Sequence, residues 1–481
     1  MAGHLPADIR PWNVRRDNGL TNAIMRETLA SGTRRFSEGK RQVFQGYESQ
    51  EAARQAGVQA KRRAVAHLDE LLERAQATIQ AQGGTTHVAA TAGEARAIVR
   101  EIAQNAGVRL VVKSKSMLTE ELELNKELAA SGMRVIETDL GEYIIQLARE
   151  TPSHILAPAA HKNRAQIRAL FEVDAQQAHL PPPADDDARS LTQFARARLR
   201  QEFLAADMGI TGGNFCVVET GTVALITNEG NADWVTSVPR LLVCVVGIEK
   251  LVETWEDLTH LIQQPAMNGI GQRLSSYTTL ISGPRSQFGE GPEEFHVVFV
   301  DNGRRSLVGT PYEDVLSCIR CGACLNVCPV FRQVGGHAYG SVYSGPIGVV
   351  ETPLLTDFEV GAELPSVACT VCHACGEACP MDIDLPGHIL RLRQEKVRRH
   401  LTARSANWSY GMWSGAWATP AGYRRSLRLA RLAQKIYLRR GWLRNAPGLA
   451  HGWFITRDMP KVADITFHEW WAQNRGTGAH D

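Results

Sequence analysis

Cys318-Ile-Arg-Cys321-Gly-Ala-Cys324-Leu-Asn-Val-Cys328-Pro329 and Cys369-Thr-Val-Cys372-His-Ala-Cys375-Gly-Glu-Ala-Cys379-Pro380 are two copies of one pattern, C-x2-C-x2-C-x3-C-P. They take eight of the chain's ten cysteines, so thiol chemistry is concentrated in one region. This is the spacing that holds a pair of [4Fe–4S] cubanes. Three closely spaced thiolates wrap three corners of one cluster, and the fourth, set by the following proline, reaches the other cluster. On that rule Cys318, Cys321, Cys324 and Cys379 hold one cluster. Cys369, Cys372, Cys375 and Cys328 hold the second.

Other uses of cysteine fit less well. A structural zinc site joins two C-x2-C knuckles and leaves part of each run unused. A disulfide framework belongs to small secreted chains, whereas this chain has 481 residues. Its first sixteen residues, with Asp8, Arg10, Arg15 and Arg16, have no apolar h-region, which argues against a signal peptide. No stretch approaches 18 uninterrupted apolar residues, so no membrane-spanning helix is expected. Eight thiolates committed to iron imply a reducing, cytoplasmic setting. Cys216 and Cys244 lie apart in apolar, strand-like runs and read as buried free thiols.

The length suggests two or three domains, and four regions can be separated: 1–84, 85–304, 305–390 and 391–481. Residues 17–36 and 48–82 carry apolar side chains at helical spacing (Ala64, Val65, Leu68, Leu71, Leu72, Ala75) and end at Gly83-Gly84. They read as a helical arm or cover without chemistry of its own. From 85 to 304 short β-rich runs alternate with helical ones: strands at 86–90, 110–113, 134–138 and 154–157, with helices at 92–106, 117–131, 140–149 and 161–172. Such alternation predicts an α/β domain with a parallel sheet covered on both faces. Residues 173–190, with three prolines and three aspartates in succession, read as an exposed loop before a helix at 191–207. Further strands are expected at 215–218 and 222–226, joined by a Glu219-Thr-Gly221 turn, and at 240–246, 278–281 and 295–300, with 240–246 and 278–281 buried. The nucleotide fingerprints G-x-G-x-x-G and G-x-x-x-x-G-K-[ST] are absent. Residues 306–388 form the α-helical cluster region, with a Gly-, Ser- and Tyr-rich loop at 335–353 between the cysteine runs.

The tail is basic. Residues 385–461 hold sixteen Lys and Arg against two acids, Glu395 and Asp458, interleaved with Trp408, Trp413, Trp417, Trp442 and Trp453. In 424–440, Leu429, Leu432, Ala433, Ile436 and Tyr437 share one helical face, and Arg424, Arg428, Arg431, Lys435 and Arg439 another. A basic amphipathic helix of this kind suits docking to an acidic partner subunit or contact with an anionic membrane surface. No other feature suggests nucleic acid.

The combination of these segments resembles a known family, the iron–sulfur B subunits of the lactate-utilisation system. The matching stretches are Lys113-Ser-Lys-Ser-Met117, Gly212-Gly-Asn-Phe-Cys-Val-Val-Glu-Thr-Gly221, Thr227-Asn-Glu-Gly-Asn231, Gly291-Pro-Glu-Glu-Phe-His296, Val300-Asp-Asn-Gly303 and both cysteine runs. The resemblance implies an α/β LUD domain, akin to sugar-phosphate isomerase and CoA-transferase-like folds, followed by an α-helical two-[4Fe–4S] ferredoxin-type domain. It also implies two partner subunits, a cysteine-rich one of heterodisulfide-reductase type and a second LUD protein. Together these would oxidise L-lactate to pyruvate and pass electrons to a respiratory acceptor. Ile281-Ser-Gly-Pro-Arg-Ser-Gln287 lacks the Thr-Ala-Asp associated with the other LUD subunit, which favours the B type.

Lactate oxidation releases two electrons, and a [4Fe–4S] cluster carries one at a time. Two clusters therefore suit a relay, with the two-electron chemistry at least partly in a partner. A rival reading is a ferredoxin-like adaptor for another dehydrogenase acting on glycolate, glycerol 3-phosphate or a disulfide. If the LUD domain binds a ligand, it should do so beyond the carboxyl ends of its strands. Lys113, Ser114, Lys115 and Ser116 end one strand and open a helix, where a carboxylate or phosphate would fit. Glu219, Thr220, Asn228, Glu229 and Asn231 flank a glycine-rich hairpin and could line the same cleft. The plainer reading is that Glu219-Thr-Gly221 is only a turn and the lysines a solvated edge. His161 reads as a helix cap rather than a base.

Overall fold

A computed structural model of the chain describes residues 8, 10–45, 49–287, 289–439, 441–444, 454 and 457–474. The chain separates into two compact units, Met1–Lys396 and Val397–Asp481.

Among the described residues of the first unit ten strands form: β1 (Thr85–Ala89), β2 (Leu110–Lys113), β3 (Arg134–Glu137), β4 (Met208–Thr211), β5 (Phe215–Val217), β6 (Thr222–Thr227), β7 (Leu241–Gly247), β8 (Leu251–Val252), β9 (Tyr277–Ile281) and β10 (Glu294–Val300). Six form a parallel sheet in the order β1-β10-β7-β4-β2-β3. Its centre, Leu-Leu-Val-Cys-Val-Val-Gly, is apolar and buried throughout, as a strand covered on both faces must be. Side chains alternate across it. Leu242, Cys244 and Val246 pack with Val297 and Phe299 on one face; Leu241, Val243 and Val245 pack with Val298 and Val300 on the other.

The second face is covered by the helix Ala92–Asn105, whose Ala95, Val99 and Ala103 pack inward. Thr91 caps it by accepting from the Glu94 amide at 3.2 Å. The first face meets a four-stranded mixed sheet, β8-β5-β6-β9, which the simple β-α alternation did not anticipate. Its β5–β6 hairpin turns at Gly221, where φ is +67° and a Cβ would lie 2.7 Å from the Ile79 nitrogen. Strand β9 is mostly exposed, not buried as its composition suggested.

Residues 154–157 are not a strand. His154 is buried, and its Nδ1 accepts the amides of Leu156 (3.0 Å) and Ala157 (3.3 Å). A side chain thus takes the hydrogen bonds that a neighbouring strand would have taken.

The N-terminal segment folds as four helices: α1 (Trp12–Thr21), α2 (Ala23–Phe44), α3 (Ser49–Ala66) and α4 (Leu68–Ala81). Leu68, Leu72, Ala75 and Ile79 of α4 pack on the first face of the large sheet. Trp12, Met25 and Leu29 of α1 and α2 enter the core of the cysteine region beside Phe331 and Tyr339. Each such side chain contributes about 1.5–3 kcal/mol by leaving water. The arm is therefore part of both cores.

The second unit contains the helices Arg404–Trp417, Pro420–Tyr437 and Phe467–Asn474. A small antiparallel sheet, β11 (Leu438–Arg439), β12 (Trp442–Leu443) and β13 (Met459–Pro460), completes it. Among the described residues, no helix is long and apolar enough to cross a membrane.

Candidate functional site

The two cysteine runs fold alike. Each ends in a one-turn helix, Ala323–Val327 or Ala374–Ala378. Each final cysteine leaves that turn in extended backbone, with ψ 119° at Cys328 and 117° at Cys379. Left-handed backbone recurs at matching places: Arg320 and Gly322 in the first run, Val371 and His373 in the second. Three of these four carry a side chain, a strain of order 1 kcal/mol or more each that the surroundings must hold. One consequence is that the Val371 amide donates to Cys369 Sγ at 3.2 Å. The Phe331 amide likewise points at Cys328 Sγ, 3.5 Å away.

The sulfurs gather in two cavities. Cys318, Cys321, Cys324 and Cys379 line one, closed by Ile155, Ile347, Met381 and Leu385. Cys328, Cys369, Cys372 and Cys375 line the other, between Pro329, Pro346, Pro386 and Ile389. Each cavity thus draws three cysteines from one run and one from the other. All eight thiols are free of disulfides. Burial, then the neighbouring sulfurs, push the Cys375 thiol up to about 12 and raise Cys324 well above the ordinary range. Four sulfurs this close ionise together only around a cationic centre. The donor set therefore fits a cubane in each cavity. Cys372, in the second cavity, is the one cysteine of the eight that is exposed.

Cations surround the first cavity. Lys40 of α2 donates to the Ala378 carbonyl oxygen at 2.8 Å, and Lys250 donates to that of Cys318 at 2.9 Å. Arg320 lies 4.1 Å over the Tyr343 ring and pairs with buried Glu351. The arm thus places a cation beside this cavity. Periodicity could not reveal Lys40, whose partner lies 338 residues away. Arg320 sits inside a quoted motif, and its position between two cysteines was the available signal.

A larger cavity of about 270 Å³ opens at the carboxyl ends of β2, β4 and β7. Ser114, Lys115, Ser116, Asn228, Glu229 and Asn231 line it together, with Lys250, Arg304, Arg320 and Tyr343. Ser114 and Thr211 share a hydrogen bond of 2.6 Å, and Lys115 donates to the Leu156 carbonyl oxygen at 2.9 Å. Asn228 accepts the Ser276 amide at 2.9 Å. Glu229 accepts the Leu140 amide at 3.0 Å, while burial and the nearby Asp139 charge push its carboxyl up to about 7. Asn231 donates to Thr138 at 3.1 Å, and its buried Oδ1 has no partner. Ile155, Ile319 and Arg320 line both this cavity and the first cysteine cavity, so one wall separates them.

Three expected residues lie elsewhere. Lys113 is buried between Glu120 (2.9 Å) and Glu137 (2.7 Å), an internal ion-pair network. Glu219 accepts the Trp255 amide at 3.0 Å, and Thr220 shares a hydrogen bond of 2.8 Å with Thr222. Neither lines the cavity: Glu219 ties the hairpin turn to Trp255, and Thr220 bonds within the hairpin. His161 is not a cap; Asn163 caps the helix Arg164–Ala178.

In the second unit the apolar face of the helix Pro420–Tyr437 is open: Leu429, Leu432 and Ile436 are exposed, as are Trp408, Trp413 and Trp417. Arg431 donates to the Ala463 carbonyl oxygen at 3.0 Å. Trp453 and the side chains of Tyr437 and Arg439 lie outside the described residues.

Residues 72–300 match the LUD domain, and residues 314–383 the 4Fe-4S dicluster domain. The cofactors of the cysteine region are therefore two [4Fe–4S] clusters. Lactate utilization protein B of Oceanobacillus iheyensis is 41% identical over 464 residues, covering 96% of each chain. The protein of the same name from Shouchella clausii is 40% identical, covering 98% of each chain. A solved structure of a DUF162 family protein from Deinococcus radiodurans is 18% identical and covers 48% of this chain and 98% of that one. Its TM-score of 0.27 is too low to carry an argument. The near full-length likeness, together with a LUD sheet followed by two four-cysteine cavities, places this chain in the lactate utilization protein B family.

Proposed function

We propose that this chain is the iron–sulfur electron-transfer subunit of a complex that oxidises L-lactate to pyruvate. The observation that carries the proposal is the pair of cavities, each lined by four cysteines, in a chain whose relatives are named for lactate utilisation. In this reading Cys318, Cys321, Cys324 and Cys379 hold one cluster, and Cys328, Cys369, Cys372 and Cys375 the other. When bound, the clusters supply one-electron carriage, and hydride chemistry needs a further centre.

The protein's own groups set the surroundings. Lys40, Lys250 and Arg320 place positive charge beside the buried cavity. The wall of Ile155, Ile319 and Arg320 brings the LUD cavity within one layer of side chains of it. Ser114, Lys115, Ser116, Asn228, Glu229 and Asn231 would hold a small polar ligand there. The exposed side at Cys372 faces outward, where a partner can approach.

The partners in this reading are a cysteine-rich subunit of heterodisulfide-reductase type and a second LUD subunit. The exposed tryptophans and the basic, apolar-faced helix Pro420–Tyr437 supply a docking face for one of them or for the inner membrane surface. The site of action is cytoplasmic.

Anaerobic purification with the neighbouring subunits, followed by EPR during lactate addition, tests the assignment. Reduction of both clusters by L-lactate is expected. Clusters that stay oxidised with lactate but reduce with glycolate or another hydroxy acid would assign the chain to a different dehydrogenase.

A further inference from the structure

Away from both cysteine cavities, three potential metal ligands converge. Glu150, His161 and His337 each offer one ligand atom within 4.8 Å of the others. We propose that they form a binding site for one divalent transition-metal cation of the zinc class, which staples the LUD domain to the segment between the two cysteine runs.

The donor set is two imidazoles and one carboxylate, a set suited to such cations with a position left for water. Both rings are held from behind by oxygen atoms, as metal-binding histidines usually are. His337 Nε2 lies 2.7 Å from the Thr151 carbonyl oxygen. A carbonyl only accepts, so Nε2 carries the hydrogen and Nδ1 keeps the lone pair. His161 Nδ1 lies 2.9 Å from Ser153 Oγ, and its Nε2 lies 2.6 Å from Glu150 Oε2. Without metal, Nε2–H donates to the carboxylate and Ser153 donates to Nδ1. Metal at Nε2 requires that hydrogen to move to Nδ1, where Ser153 Oγ can accept it. The tautomer changes and the hydrogen stays on the ring.

The rings meet edge to face with centroids 4.8 Å apart. Lys162 binds the other oxygen of Glu150 at 2.7 Å and leaves Oε2 to the site. His161 and Ser153 are buried, whereas Glu150 is 37% exposed on its side chain, which gives the ion a path in.

The segments that meet here are built to touch. Gly336, next to His337, has no room for a side chain: a Cβ would lie 1.9 Å from the Ser153 carbonyl oxygen. Ser344 Oγ also reaches that oxygen, at 3.4 Å. The stapled segments are consequential ones. Residues after Glu150 lead to Ile155 and Leu156 in the walls of the large cavity. Two residues after His337, Tyr339 packs on Phe331, which follows Cys328.

The test uses full-length protein with both clusters loaded anaerobically, so that the eight cluster cysteines are occupied. Zinc is added, excess is removed by dialysis, and zinc and iron per chain are measured. One zinc per chain is expected, with unchanged iron. His161→Gln and His337→Gln should each weaken zinc binding by about tenfold or more, while His67→Gln on the surface leaves it unchanged. Zinc should raise the melting temperature of the parent and of His67→Gln but not of the two ligand variants. Zinc X-ray absorption on the parent decides the question even where a variant folds poorly. A first shell of nitrogen and oxygen at about 2.0–2.2 Å is expected. Sulfur at about 2.3 Å, undiminished zinc in both ligand variants, or no zinc retained by the parent would overturn the proposal.

Discussion

Tyr343 donates its hydroxyl to Glu121 at 2.5 Å, and both side chains are buried. The first comes from the segment between the cysteine runs and the second from the LUD domain, so this bond ties the two. Glu121 also accepts both terminal nitrogens of Arg304, at 2.8 and 2.7 Å, and the Asn302 amide at 2.6 Å. Burial alone would raise the pKa of Glu121. Arg304 first, with Tyr343 and Asn302, reverses that and holds it below the usual range. Tyr343→Phe is expected to cost about 1.5–3 kcal/mol, the worth of a hydrogen bond to a charged group. Glu121→Ala is expected to cost about 3–5 kcal/mol, because it removes a partner from a buried guanidinium. Anaerobic denaturant unfolding measures both. Equal stability of Tyr343→Phe and parent would mean that the bond contributes nothing to joining the domains.

Exchange of the fourth ligand between runs has a distinct signature. Cys328→Ser is expected to remove the EPR signal of the cluster otherwise held by Cys369, Cys372 and Cys375, leaving the other in place. Cys379→Ser should do the opposite. The cavity linings set this expectation, since each displaced cysteine lies with the other run. If Cys328→Ser instead removed the cluster of its own run, the exchange would be wrong.

The mixed lining of the two cavities was legible because the spacing of the cysteines, and the proline after each fourth one, are local. The parallel sheet was legible for a similar reason: runs such as 241–247 are apolar enough to be buried on both faces. What failed depended on contacts that composition and periodicity do not show. The apolar pair Ile155-Leu156 looked like a strand, yet the buried His154 ring captures the amides that a strand would have shared. Lys113 and Lys115 looked alike, yet Lys113 meets Glu137 of the adjoining strand while Lys115 turns to the cavity. Lys113 is the last residue of β2 and Lys115 lies past its end, so strand alternation does not relate the two, and only the folded neighbours decide which one reaches the site. Lys40 was invisible because helix α2 and Cys379 are adjacent only after folding.

Lys40 supplies the next expectation. Its half-buried ammonium lies beside the cavity of Cys318, Cys321, Cys324 and Cys379 and stabilises added negative charge there. Lys40→Met should lower the midpoint potential of that cluster, by on the order of 50 mV, which corresponds to about 1 kcal/mol per electron. The second cluster should not move. Redox titration followed by EPR resolves the two. Equal shifts of both clusters would point to a general structural change instead of a local charge effect.

Glu229 makes stability depend on pH in a defined window. An unfolded glutamate loses its proton near 4.3, whereas the folded one holds it to about 7 because of burial and the Asp139 charge. Between those values the folded chain binds the extra proton. Stability from this group is therefore fully present below about 4.3 and falls as pH rises, with the loss complete above about 7. Glu229→Gln fixes the neutral form and keeps the oxygen that accepts from Leu140. The variant should melt close to the parent at acidic pH and progressively above it through neutrality, by about 1–3 kcal/mol at pH 8 given the partial exposure of the side chain. Anaerobic melting curves across that range make the comparison. A parent that gained stability relative to Glu229→Gln with rising pH would show that the carboxylate is paired in the folded cavity, most directly with Lys115, and that the cavity favours the charged form.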